Sequence, residues 1–566
     1  MRFLPVVVLL SVALLSISGA RPKSTASRSG DWDTFLKDFI ERYFALHPDF
    51  AAYSGRHEFD GKFPDWTPEG LKAQASWLHD QRKTALIFDG SAIDDRQRFE
   101  RDYLVAIIDK DLYWLEEAEA PFRNPTFYSI DPNVYVARPY APLETRMRAY
   151  TAYAKGIPAV AAQIRKNLRT PMPRTFVDIG RITFGGLASY YANDIPAVFA
   201  GVTDKTLQTD FKAANAEAIK AMKELDGWFA NQASTANDNF ALGAKVFSDM
   251  LHATELVDTP LDELMNIGTA DLERNLAALR GACNAYAPGK SVPECIRMVQ
   301  SKKPTGGPID RARKQLNDLR KYVVEKNLVS VPGTEEAKVQ EAPPYQRWNF
   351  AYIDIPGPYE KGLPSVYYIA PPDPSWSAKE REEYIPGESD LLFTSVHEVW
   401  PGHFLQFLHS NRSPSKFGQI FVGYAFAEGW AHYAEEMMWE AGLGNGDQET
   451  HIGQLLNALL RNVRFISAIG LHTGKMTVED SEKMFREKAY QDAGTAKQQA
   501  ARGTFDPAYL NYTMGKLMIR KLRDDWTASR GGQRAWKEFH DKLLSFGGPP
   551  IPLVRKAMAG QPGPLF

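Results

Sequence analysis

Cysteine is scarce: the 566 residues hold two, Cys283 and Cys295. The chain is therefore no small disulfide scaffold, and its stability has to come from a packed core. Cations are not in surplus either. Lys and Arg number 67 against 69 Asp and Glu, a formal net charge of −2, so no nucleic-acid partner is expected, because nothing is left over to neutralise a phosphate backbone. Beyond the N-terminus no run is apolar for long enough to cross a bilayer, which leaves no stable membrane span once the leading segment is removed. There is no repeat of fixed period and no low-complexity tract.

The first twenty residues are of a secretory type. Arg2 supplies the positive start, Leu4 to Ile17 is apolar, and Ser18-Gly19-Ala20 forms a small-residue cleavage site. A retained anchor is the rival, but the run is short for a span and Arg21-Pro22-Lys23 follows at once. No lipobox cysteine comes after it. The chain is expected to be exported, to the periplasm or beyond, with residues 21–30 as a flexible, Ser-rich lead. In an exported chain Cys283 and Cys295, twelve positions apart, are expected to form a disulfide around Pro288-Gly289-Lys290 rather than to remain two buried thiols.

The chain is 44% hydrophobic and 24% charged, which suits one large packed body over residues 31–566. Apolar stripes at helical spacing recur, as in Phe35, Phe39, Tyr43 and in Tyr103, Ile107 with Leu104, Ile108 and Leu112. Separate helices are expected over about 143–154 and 157–168. The first 330 residues are almost wholly α in this reading. A composition shift near 332–344 marks a possible sub-domain junction. Two β-type runs follow, 348–355 and 366–369, bounded by Pro and Gly. The fold class is mainly α, with a small sheet placed before the helix at Asp390, where an edge strand can hold an extended peptide.

That helix carries Ser395-Val396-His397-Glu398-Val399-Trp400-Pro401-Gly402-His403-Phe404-Leu405-Gln406. Two imidazoles can bind Zn2+, and a Glu directly after the first stands where a metallopeptidase keeps its general base. The spacing is unusual. His397 and His403 lie six apart, not four, and at roughly 100° per residue they diverge by about 120° on a regular helix. A bulge or break is required. Pro401-Gly402 is where the chain permits one, since Pro lacks a donor and Gly tolerates unusual dihedrals. Catalytic zinc takes three protein ligands and an open position. The source of the third is the segment 427–436, where Glu428, His432 and Glu435 fall on one helix face within an apolar run.

The pattern His397-Glu398-x-x-Pro401-Gly402-His403-x-x-Gln406, followed by Glu428-Gly429-Trp430-Ala431-x-Tyr433-x-Glu435, resembles the bacterial family known as domain of unknown function 885. That family is similar to gluzincin-type zinc metallopeptidases, in which a downstream Glu completes the metal site. Pro48-Asp49-Phe50-Ala51-Ala52, Gly470-Leu471-His472-Thr473 and Tyr512-x-x-Gly515-Lys516 extend the resemblance over most of the mature chain. It implies one Zn2+ per chain held by His397, His403 and Glu428, with Glu398 as the base, and a multi-helix body with a deep cleft. His432 in place of Glu428 is the alternative third ligand. Glu435 and His432 are then candidates to orient a ligand imidazole, and Gln406 to contact the motif loop or substrate. In related helical peptidases a Tyr or His from a late helix donates to the oxyanion. Tyr512 is the choice here, with Tyr509 and His472 as rivals. Arg502, Arg461, Arg464 and Lys516 are candidates to bind a substrate carboxylate, which favours carboxypeptidase or dipeptidase action over broad endopeptidase action. Where the family usually has an acidic residue just before Arg502, this chain has Lys497-Gln498-Gln499. The implied activity is hydrolysis of peptides by an exported zinc enzyme. The alternatives are a peptide-binding or envelope protein without turnover, and a zinc hydrolase of esters or other amides.

Overall fold

The computed structural model describes residues 25–90, 93–343, 347, 350–560 and 563–566. The expected signal segment, 1–20, lies outside them, as do residues 21–24 of the lead. The remainder of the lead is taken into the helix Thr25–Leu46. Its later turns bury Trp32, Leu36, Phe39, Ile40 and Phe44, and once that stripe is packed, extending a helix backwards costs little per residue because the nucleus exists.

Helices dominate and build two large apolar cores. One is assembled by Asp95–Leu112, Leu143–Asn167, Arg174–Asn193 and Lys205–Gln232 around Tyr150, Ile157, Phe184 and Phe229. The other is built by Leu261–Tyr286, Tyr424–Glu440, Gln448–His472 and Asn511–Ala528. Phe417, Phe421 and Leu471 pack into the first core although they come from the later part of the chain, and the buried Tyr103 hydroxyl donates to the Phe421 carbonyl. The helices expected over 143–154 and 157–168 are one, Leu143–Asn167, with Pro158 inside it. The buried stripe Met147, Tyr150, Ala154, Ile157, Ala161 and Ile164 is continuous across the proline, and its burial outweighs one missing donor.

A three-stranded sheet precedes the motif, in the order β1 (Ala337–Glu341), β3 (Ser365–Ile369), β2 (Ala351–Asp354). β1 runs parallel to β3 with Val339 opposite Tyr367, and β2 runs antiparallel with Ile353 opposite Tyr367. β2 falls within the run expected at 348–355, of which 348 and 349 lie outside the described residues. β1 occupies the stretch read as a possible junction; in Ala-Lys-Val-Gln-Glu only Val339 is buried, so the strand leaves little pattern in the sequence. Cys283 and Cys295 are joined as a disulfide with Cα atoms 5.7 Å apart. Among the described residues no helix is long and apolar enough to cross a membrane.

Candidate metal centre

The helix Glu388–Glu398 stops at Val399, and a second helix, His403–Ser410, starts four residues later. Between them the chain turns tightly. Gly402 donates to the Val396 carbonyl at 2.9 Å, and Trp400 reaches back to Ser395 at 3.3 Å. The Pro401 carbonyl is taken by the indole of Trp430, Nε1 to oxygen 2.8 Å, so an acceptor left free in the break is satisfied from the helix Tyr424–Glu440. The break swings the imidazoles together: the rings of His397 and His403 lie 4.7 Å apart and nearly perpendicular.

Glu428 is delivered by the helix Tyr424–Glu440. This helix lies against Asn511–Ala528 with almost no side chain between them, for a Cβ on Gly429 would come 2.5 Å from the Gly515 Cα and one on Gly515 would come 2.0 Å from the Ala425 carbonyl. The glycine contact sets Glu428 and Tyr512 on facing walls of the same site. Among the described residues, His397, His403 and Glu428 form a group whose candidate ligand atoms all lie within 4.8 Å of one another.

The donor set fits a tetrahedral metal ion. Glu428 Oε2 is buried without a hydrogen bond, although His397 Nε2 and His403 Nε2 stand 3.3 and 3.4 Å away. Leaving such an oxygen unpaired costs about 1–3 kcal/mol or more, and a cation between the three groups removes that cost. Ligand bonds of about 2.0–2.1 Å in a tetrahedron space the ligand atoms about 3.3–3.4 Å apart, the separation found here between the Glu428 oxygen and each imidazole nitrogen. Electrostatics point the same way. Burial and the Arg461 guanidinium disfavour charge on His397, yet the carboxylates of Glu428 and Glu435 outweigh both and raise its pKa to about 9. A field that attracts a proton to this point attracts a cation as well. Burial opposes charge on Glu428 too, but the two imidazoles hold its carboxyl well below the usual range.

Behind the triad, His397 Nδ1 donates to Glu435 Oε1 at 2.7 Å, and Arg461 approaches the same oxygen at 3.1 Å. Glu435 is fully buried. Burial opposes its charge, and Arg461 with His397 and His432 keeps it ionised, far below the ordinary range. With Nδ1 carrying the proton, Nε2 of His397 presents its lone pair to the triad, the arrangement a metal-binding histidine requires. Glu398, half-buried at the end of the motif helix, has its carboxyl raised by burial, with the two imidazoles pulling it back.

A sequence profile of the family described as bacterial proteins of unknown function, DUF885, matches residues 48–558. The chain belongs to this family. No curated protein matches it. Among solved structures it is similar to a candidate lipoprotein of unknown function from Shewanella oneidensis, at 23% identity and a TM-score of 0.77 over 95% of this chain and 100% of that one. It is also similar to a candidate lipoprotein from Colwellia psychrerythraea, at 17% identity and 0.77 over 95% and 98%. At these identities the likeness shows a shared fold. PZ peptidase A, solved with an inhibitor, aligns over 87% of this chain and 94% of its own at 11% identity, and its TM-score of 0.36 carries no argument.

In this DUF885 chain the remaining expected residues divide. Tyr512 is at the site, its ring stacked 6.4 Å from that of His397; burial, and next the Glu428 carboxylate, raise its pKa. His432 is fully buried behind Glu435, with Nδ1 3.4 Å from Oε2, and is outside the triad. Burial lowers its pKa to about 4. His472 has both nitrogens committed to backbone, Nδ1 to the Leu242 amide at 3.3 Å and Nε2 to the Gly503 carbonyl at 2.8 Å, and is not among the grouped donors. Tyr509 is fully buried. Gln406 is buried too, its amide nitrogen donating to the Gly547 carbonyl at 3.3 Å and to the Ser410 hydroxyl of its own helix at 2.8 Å. Arg502 pairs with Asp506 and donates to the Tyr424 hydroxyl at 2.9 Å.

One residue at the periphery escapes the sequence reading. Glu255, fully buried, accepts from Asn511 Nδ2 at 2.8 Å and from the Ala425 amide at 3.3 Å, binding the starts of the Glu428 and Tyr512 helices together. Its signal was an acid on a buried stripe, Phe247, Leu251, Glu255. Burial pushes its pKa up to about 8, against the pull of the Ala425 amide. The folded state therefore holds a proton that the unfolded chain releases near pH 4–5, and stability falls as pH rises from there to about 8, by roughly 1.4 kcal/mol per unit. Glu255→Gln is expected to flatten this decline, read as a smaller drop in Tm between pH 5 and 8.5 than in the unsubstituted protein. An unchanged slope would show that Glu255 is not the group responsible.

Proposed function

We propose that the protein is an exported zinc-dependent peptidase. The observation that carries this reading is the buried, unpaired Glu428 Oε2 facing two imidazole nitrogens at tetrahedral spacing, with Glu398 next in sequence to one of them. His397, His403 and Glu428 would hold the ion. When bound, zinc supplies a Lewis acid that makes water a better nucleophile and polarises a carbonyl.

The chain's own residues do the rest. Glu398 accepts the proton of the attacking water and passes it to the leaving amine nitrogen, a transfer favoured by a carboxyl that burial has made more basic. The Tyr512 hydroxyl donates to the oxygen on which charge develops. Glu435, steadied by Arg461, fixes the tautomer and ring orientation of His397. Export rests on the apolar N-terminal run with its small-residue end, and the Cys283–Cys295 bond suits an oxidising compartment.

Purified mature protein is expected to hold about one zinc per chain and to cleave members of a mixed-peptide library, whose product ends report exo- or endo-action. Stoichiometric zinc with no cleavage of any peptide would transfer the reading to a peptide-binding protein. Failure to take up zinc after reconstitution would remove the metal site.

A further inference from the structure

Four cations are available near the triad for a substrate carboxylate, and the structure has already used three. Lys516 is fully buried between Asp271 at 2.7 Å and Glu436 at 3.2 Å. Arg461 meets Glu435 at 3.1 Å, and Arg502 meets Asp506 at 2.8 Å. Arg464 is different. It is 8% exposed, and among the described residues it has no carboxylate partner. Its hydrogen bond runs from Nε to the neutral amide oxygen of Gln499 at 2.8 Å. The other two nitrogens of its fork are unspent and are not among the sealed, partnerless atoms of the interior, so they border accessible space.

A guanidinium taken out of water without a counter-charge is costly. Arg464 bears that cost next to like charge, because burial and the neighbouring Arg502 both lower its pKa. The Tyr512 ring gives partial relief: the Arg464 Cζ lies 4.7 Å from its centroid. Cation–π contact stabilises such a charge but does not neutralise it. The same ring stacks 6.4 Å from His397, so Tyr512 touches both the unmatched cation and a member of the triad.

We propose that Arg464 anchors a carboxylate of the substrate, with its two free nitrogens forming the planar fork that receives both oxygens. The inference rests on the peptidase reading of the triad. Extended peptide advances about 3.3–3.6 Å per residue, so an anchor that shares the Tyr512 ring with His397 lies within about three residues of the scissile bond. The carboxylate comes either from the C-terminus or from an Asp or Glu side chain.

Binding to the full mature chain carrying Glu398→Gln, measured by calorimetry, tests this without turnover. The probes are one tetrapeptide as its free acid, the same tetrapeptide amidated, and an amidated version ending in Glu. The free acid is expected to bind about ten- to a hundredfold tighter than the plain amide. Arg464→Gln and Gln499→Glu, each added to that background, are expected to erase the difference; the second supplies an internal carboxylate to Arg464 and preserves the packing. If the amidated Glu peptide alone binds more tightly than the plain amide, an acidic side chain is the source; if only the free acid does, the C-terminus is; if both do, the fork takes either carboxylate. Equal binding of all three probes, no binding of any probe, or a preference that survives both variants would overturn the proposal. Cleavage of the library without carboxylate preference would overturn it and leave the peptidase reading intact, whereas discrimination without cleavage would do the reverse.

Discussion

Glu398→Gln is expected to keep about one zinc per chain and to lower kcat/KM on a cleaved peptide by about 10²–10⁴. Glutamine fills the same space and can still accept a hydrogen bond, but its amide cannot take a proton from water. Glu398 is half-buried at the end of its helix, beside His397, and is not one of the three grouped donors. The substitution therefore separates proton transfer from metal binding. Metal analysis, the unfolding temperature and the rate should be read on the same preparation. Loss of zinc together with activity would make Glu398 part of the metal site; an unchanged rate would remove it as the base. Glu428→Ala gives the contrast, since it deletes a donor and should abolish stoichiometric zinc at the outset.

Gly402→Ala is expected to cost the protein its zinc, and about 2–4 kcal/mol of stability with it. The reason is space and not handedness. Gly402 has φ −74 and is not left-handed, but a Cβ there would fall 1.8 Å from the His397 carbonyl oxygen and 2.5 Å from that of Val396. Both neighbours are backbone atoms of the helix that ends at Glu398, so neither can rotate away. One methyl group must push the His403 helix off the His397 helix, and the two Nε2 atoms then part. Zinc content and Tm check this. Full zinc with an unchanged Tm would show that the two helices do not meet as closely as described.

Much of this site was legible in the sequence. Six residues between histidines are incompatible with one helix face, and Pro401-Gly402 is a place where a helix can end, so a break followed from spacing alone. The choice of third donor did not follow. Glu428 and His432 are one turn apart on the same face, and helical periodicity cannot rank them. The ranking depends on how far along its axis the helix Tyr424–Glu440 sits relative to the break, which is set by Trp430 on the Pro401 carbonyl and by Gly429 against Gly515. That placement puts Glu428 at the triad and His432 behind Glu435. The four cations were equivalent in sequence for the same reason, because Asp271, Glu435, Glu436 and Asp506 neutralise three of them through contacts between separate elements.

The fold shows the same division. Strong stripes such as Tyr103, Ile107, Leu104 and Ile108 specify helices because their burial repeats every turn. The proline in Leu143–Asn167 and the nearly patternless β1 were misread because neighbours supply their stability: a core stripe on both sides of Pro158, and a fully buried partner strand for Val339. Spacing along the chain was enough for a mainly helical body, for a break between two histidines and for a short list of donors and cations. Selecting among them took contacts between segments far apart in the chain, because the approach of two helices is governed by the atoms between them, and periodicity within one helix carries no information about those.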